Sequence, residues 1–166
     1  MKKQTIALKK GLLLIALAFG TMPAFSQSKL LVGTWRLTAA DKILADGTRQ
    51  PDYGPNPHGI AIFTADGHYV VEIFRSDRTK FASGDRAKGT PEEYQAALLS
   101  ASCHFGTYNV DPVKNTITFH TDRASFPNWD ETTRVSSFTL DGDKLTWHVP
   151  PRPDGVIPVS VFSRVP

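Results

Sequence analysis

Few side chains in this 166-residue sequence could do chemistry, and their spacing limits what that chemistry could be. Cys103 and His104 are neighbours, which invites a thiol–imidazole nucleophile. On a strand, however, consecutive side chains point to opposite faces, so the two cannot meet. Cys103 therefore reads as a small buried filler, and as the single cysteine it has no disulfide partner within the chain. The five histidines show no His-x-His or His-x-x-x-His pair and no thiolate cluster beside them, so no metal is expected. There is no glycine pattern to cradle a phosphate and no Gly-x-Ser-x-Gly elbow, and Ser136 lacks a visible His–acid pair. No catalytic machinery is recognisable, and no cofactor is expected.

What remains are polar residues at inward strand positions: Arg75, His104, Arg134 and Ser136. An inward guanidinium needs a partner, because an unpaired buried charge is expensive. That partner is either a ligand carboxylate or other polar oxygen, gripped bidentately, or an internal acid such as Asp122, Asp130 or Glu131. Long loops bring Tyr53, Asn128 and Trp129 to the same end of the molecule. Tyr69, Val71, Tyr108, Phe138 and Trp147 supply apolar walls. His58 is the other inward histidine in the assigned registers; His68, His120 and His148 face outward, as does Glu72.

The elements that must position these residues are short alternating strands. Residues 32–40 form the first, with Gly33, Trp35, Leu37 and Ala39 on one face and Thr34, Arg36 and Thr38 on the other. Residues 58–63 and 68–75 flank Thr64-Ala65-Asp66-Gly67. Pairing Phe63 with His68 across a four-residue turn places Ile60, Ile62, Tyr69, Val71 and Ile73 in the core. Residues 104–110 and 116–122 group Tyr108 and Val110 with Ile117 and Phe119. Residues 133–140 and 144–149 group Phe138, Leu140, Leu145 and Trp147, and 156–164 closes the chain. Asp46-Gly47 could fold a small hairpin within the proline-rich loop 41–57. Thr90-Pro91-Glu92-Glu93 starts a helix with a capping box, and its stripe Tyr94, Ala97, Leu98, Ala101 is expected to pack against one end of the barrel. Eight strands, an even number, let the last pair antiparallel with the first and close an up-and-down barrel. The tight turns then fall at one end, and the long connections 41–57, 76–103, 123–132 and 150–155 at the other, the mouth.

The amino terminus reads as an export signal. Lys2, Lys3, Lys9 and Lys10 precede an apolar run from Gly11 to Phe19, too short to span a membrane, and Ala24-Phe25-Ser26 suits cleavage after residue 26. No cysteine follows, so a lipid anchor on cysteine is not expected. Residues 27–166 then make one domain, periplasmic or secreted. The signal holds four of the 19 basic residues and none of the 16 acids, leaving 15 against 16, a net of −1. The basic pI belongs to the signal, so nucleic-acid or anionic-membrane partners gain no support.

Several stretches resemble one family. Leu31-Val-Gly-Thr-Trp-Arg-Leu37 is similar to the Gly-x-Trp opening of lipocalins, and the chain more closely resembles bacterial and fungal lipocalin-like domain proteins. The matching stretches are Tyr53-Gly54-Pro55-Asn56-Pro57-His58-Gly59, Asp66-Gly67-His68, Arg75-Ser76-Asp77-Arg78, Phe105-Gly106-Thr107-Tyr108, and Pro127-Asn128-Trp129 followed by Arg134. Where that family often carries two adjacent histidines this chain has Phe119-His120. The resemblance implies an eight-stranded barrel around an apolar pocket, with Gly33 and Trp35 at the closed end, and no settled activity. The leading expectation is an exported module binding a small, mostly apolar molecule with a polar or anionic end, through Arg75, His104, Tyr108, Arg134, Ser136, Tyr53, Trp129 and Tyr69. The alternatives are a cyclase- or isomerase-type enzyme in the same pocket, using His104, Glu72 or an arginine, and a protein-interaction module built on the mouth loops. Oligomeric state is not legible.

Overall fold

The computed structural model describes residues 29–166; the signal and cleavage site expected within residues 1–26 lie outside the described residues. The strands are β1 (Gly33–Ile43), β2 (Arg49–Pro51), β3 (His58–Phe63), β4 (His68–Phe74), β5 (Ala101–Asp111), β6 (Thr116–Ala124), β7 (Thr132–Asp141), β8 (Lys144–His148) and β9 (Ile157–Arg164), with one helix, α1 (Pro91–Leu99). β1 and β3 to β9 run as an antiparallel meander in which β9 returns to pair with β1, from Trp35↔Arg164 to Ile43↔Ile157. Eight strands thus close the barrel. The ninth, β2, is the far arm of the Asp46-Gly47 hairpin and pairs only with the end of β1. Among the described residues no helix is long and apolar enough to cross a membrane.

The closed end is built around Trp35. Gly33 pairs with Phe63, beside the 64–67 turn, so this part of β1 lies at the turn end. Trp35 is fully buried, and its indole Nε1 donates to the Leu31 carbonyl at 2.8 Å, drawing the 3-10 turn Lys29–Leu31 under the barrel. The Arg164 guanidinium lies 4.1 Å above the Trp35 ring and donates to the Val32 and Leu30 carbonyls. Gly33 makes that approach possible, since a Cβ there would meet Arg164 Nη1 at 3.1 Å. Above this plug Phe63, Tyr69, Tyr108, Phe119, Trp147 and Phe162 fill the interior. Trp147 stacks on Phe162 at 4.4 Å, and Tyr108 meets Phe63 edge-on at 4.9 Å.

Three sequence expectations need correction. In β3 it is Ala61 and Phe63 that are buried, while Ile60 and Ile62 lie on the other face. The turn holds three residues, not four: the Thr64 amide donates to His68 O and the Gly67 amide to Thr64 O, so Phe63 pairs with Tyr69. Gly67, at φ +91°, allows this type I turn with a left-handed third residue. The one-residue difference inverts the strand and turns His58 outward, where it is exposed. In β1 a bulge between Leu37 and Ala39 carries Ala40, not Ala39, inside. Finally, α1 buries none of its residues. Its capping box forms as expected, with Thr90 Oγ1 accepting from the Glu93 amide and Glu93 Oε2 from the Thr90 amide. Yet Tyr94 packs on Phe81 at 5.3 Å, its hydroxyl donates to Arg86 O, and Ala101 already belongs to β5. The helix is clipped to its own loop rather than to the barrel.

Candidate functional site

A cavity of about 460 Å³ opens at the end opposite the tight turns. Its apolar walls come from Ala40, Val71, Ile73, Trp147, Val149 and Val159, each an inward position of its strand or just beyond one. Alternation accounts for these walls: side chains two apart on every strand share the interior. Loop residues Asp52, Tyr53, Trp129, Pro151 and Arg152 form the rim.

The polar centre is His104 and Arg134, on β5 and β7. His104 is 6% exposed, with Nδ1 3.0 Å from Tyr69 Oη and Nε2 3.5 Å from Arg134 Nη2. Burial, and secondarily the Arg134 charge, push its pKa down to about 3, so the imidazole is neutral at ordinary pH. Burial likewise raises the Tyr69 phenol, which stays protonated and lies 3.1 Å from Thr121 Oγ1. Arg134 faces the cavity with its guanidinium 5.5 Å from the Phe119 ring centre. Its Nε is buried and has no hydrogen-bond partner. Among the described residues Arg134 makes no ion pair: of the internal acids considered for it, Asp130 and Glu131 are taken by Arg123, and Asp122 forms no salt bridge with it.

The other candidates divide by height in the barrel. Tyr53 and Trp129 reach the cavity, and the 38%-exposed Trp129 ring stands edge-on 6.5 Å from His104. Tyr69 touches the site through His104 and does not line the cavity. Tyr108 is inward but low, its hydroxyl donating to the Thr64 carbonyl in the closed-end turn. Ser136 is fully buried one inward position below Arg134, away from the cavity lining, and its Oγ has no partner. Arg75 does not line the cavity either: Nε and Nη2 grip Asp77 at 3.0 and 3.3 Å, and Nη1 donates to Asp52 O at 2.7 Å. The ladder ends at Phe74, so parity no longer governs Arg75, and a carboxylate two residues away captures it.

Several cavity residues escaped the sequence reading, Thr121, Asp52 and Arg152 among them. Thr121 follows Ile117 and Phe119 in the inward alternation of β6, a signal that was present. Asp52 and Arg152 sit on loops without periodicity and meet at 3.7 Å across the rim, where Lys42 also pairs with Asp52 at 3.5 Å. The Cys103 side chain lies on the opposite face of β5 from His104, as expected. Burial and the facing Glu72 raise its pKa, which disfavours a thiolate. Among the described residues no group of three histidines, cysteines or acids could hold a metal ion.

No curated protein matches the chain. A lipocalin-like protein from Bacteroides uniformis, known from its crystal structure, is 15% identical; the match covers 81% of this chain and 98% of that one, at a TM-score of 0.43. An uncharacterized protein from Bacteroides eggerthii is 16% identical over 81% and 98% of the two chains, at 0.41. A mutant of the fluorescent protein UnaG is 13% identical over 82% and 97%, at 0.38. The model of the lipocalin-like domain matches residues 32–158, nearly the whole described barrel. The chain belongs to the lipocalin-like domain family.

Proposed function

We propose that this protein is an exported carrier that holds one small, mostly apolar molecule in the barrel, with the molecule's anionic or hydrogen-bond-accepting end against Arg134. The observation that carries this is the Arg134 guanidinium, which faces an apolar-walled cavity with a buried Nε and, among the described residues, no acid of its own. A guanidinium left so is costly unless something carrying negative charge joins it. A lipocalin-like barrel with apolar walls and a few convergent polar groups suits such an occupant. Export is supported by the basic and apolar opening of the sequence and the small residues before Gln27. An isomerase or cyclase in the same cavity has less support. Both His104 nitrogens are engaged within the protein, and its conjugate acid forms only near pH 3, so it moves protons poorly at neutral pH.

Native mass spectrometry of protein purified from its own host tests the proposal. The expected result is a small added mass released on denaturation, on a chain beginning at Gln27. A uniformly empty chain that also fails to displace a fluorescent apolar probe with any alkyl carboxylate would overturn the carrier assignment. A chain retaining residues 1–26 in the exported fraction would overturn the cleavage.

A further inference from the structure

Four polar side chains from four strands stand in single file along the cavity floor, Thr121 on β6, Tyr69 on β4, His104 on β5 and Arg134 on β7, all but Tyr69 lining the cavity itself. The links measure 3.1 Å from Thr121 Oγ1 to Tyr69 Oη, 3.0 Å from Tyr69 Oη to His104 Nδ1, and 3.5 Å from His104 Nε2 to Arg134 Nη2. Hydroxyls and imidazole can each donate or accept, so two of the links are free to run either way. The last is not, because a guanidinium has donors only. His104 Nε2 therefore accepts, the ring proton sits on Nδ1 and is donated to Tyr69 Oη, and the Tyr69 hydroxyl donates to Thr121. The reverse direction would set an Nε2–H against the Nη2–H, two donors face to face.

We propose that Tyr69 and Thr121 are positioning residues that fix this direction, hold Arg134 through His104, and thereby make the cavity selective for a carboxylate; the selectivity rests on the carrier function proposed above. With Nη2 tethered to His104, the guanidinium is held at the cavity wall with its Nε unpartnered. One planar, acceptor-only monoanion matches one uncompensated guanidinium. A phosphate dianion would bring a surplus charge into apolar walls, an amine a second cation, and an alcohol would leave the guanidinium charge unmatched.

Imidazole nitrogen NMR reads the direction without any ligand. The His104 signals, identified by their loss in His104→Gln, should show a protonated Nδ1 and a bare Nε2 across about pH 5 to 8, the range in which an ordinary histidine titrates. Thr121→Val removes the acceptor of the Tyr69 proton, so Tyr69 should donate to Nδ1 and shift His104 toward Nε2–H. Tyr69→Phe should free the tautomer as well, and if that variant does not fold, Thr121→Val decides. An Nε2–H form in the unaltered protein, or Nδ1–H unchanged in folded Thr121→Val, overturns the lock. Displacement of a fluorescent apolar probe by dodecanoate and by dodecanol reads the selectivity. The carboxylate should be favoured by about tenfold or more, as a charge-assisted pair allows, and in folded Thr121→Val the ratio of the two affinities should fall most of the way to one. Equal loss for both ligands, or a preference untouched by Thr121→Val, overturns the selectivity. If neither ligand binds while the NMR shows the expected tautomer, the carrier function and the selectivity fall together and the lock stands.

Discussion

Replacing Arg134 by Met should make the empty protein more stable and the loaded protein weaker. Among the described residues Arg134 has no ion pair to lose, and its link to His104, at 3.5 Å against the usual 2.7–3.2 Å, orients the guanidinium while contributing little stabilisation. The real loss is the contact with the Phe119 ring at 5.5 Å, worth about 0.5–2 kcal/mol. A thioether over the same ring restores about 0.3–1.5 kcal/mol of that. Against this, an unpartnered buried donor is removed, which is worth about 1–3 kcal/mol, more for a charged group. Leaving His104 Nε2 without its donor takes back part of this, so the net gain is about 0.5–1.5 kcal/mol, or roughly 2–6 °C in Tm for a domain of this size. Scanning calorimetry of the delipidated protein reads it. In parallel, calorimetric titration with an alkyl carboxylate should show about a 10- to 150-fold loss of affinity, the equivalent of about 1.5–3 kcal/mol for a charged hydrogen bond, with its alcohol analogue unaffected. A variant that melts lower and binds both ligands as before would refute the reasoning and make Arg134 a structural brace.

The remaining predictions concern the fold and its pH response. Trp35→Ala should cost about 3–5 kcal/mol in denaturant unfolding, since Trp35 is fully buried and joins Leu31, Arg164 and the closed end; a cost below about 1 kcal/mol would deny it that place. Gly106→Ala should destabilise by more than about 2 kcal/mol, because a Cβ there would collide with the His120 carbonyl oxygen across the ladder; thermal melts check it, and an unchanged Tm would contradict the packing. Between pH 6.5 and about 3 an unfolded His104 takes up a proton that the folded chain refuses, so stability is full above that window and falls as pH drops through it. The slope should approach 1.4 kcal/mol per pH unit, about what a single proton difference gives, and His104→Gln should flatten it; identical slopes in the two proteins would mean His104 is not the group responsible.

Much of this protein was legible along the chain. The period-two alternation gives the inward face of β4 to β8, and with it Tyr69, His104, Tyr108, Arg134, Ser136 and Trp147 as interior residues, because a pleated strand leaves a side chain only two directions. The even strand count and the spacing of tight turns give closure and place the mouth, since antiparallel neighbours must alternate ends. Export is a proposal that rests on the sequence alone, and its test lies outside the barrel. What the tertiary structure decided was everything that depends on one residue of register or on a partner distant in sequence. A three-residue turn instead of four inverts β3 and expels His58, and the Leu37–Ala39 bulge exchanges Ala39 for Ala40. Parity assigns a face but no height, so Tyr108 and Ser136 lie below the cavity while Thr121 lines it. Partner choice is settled by three-dimensional proximity: Asp77 takes Arg75, Asp130 and Glu131 go to Arg123, and Arg134 is left facing the cavity without an acid. The sequence names the charges, and only folding decides which of them is left uncompensated.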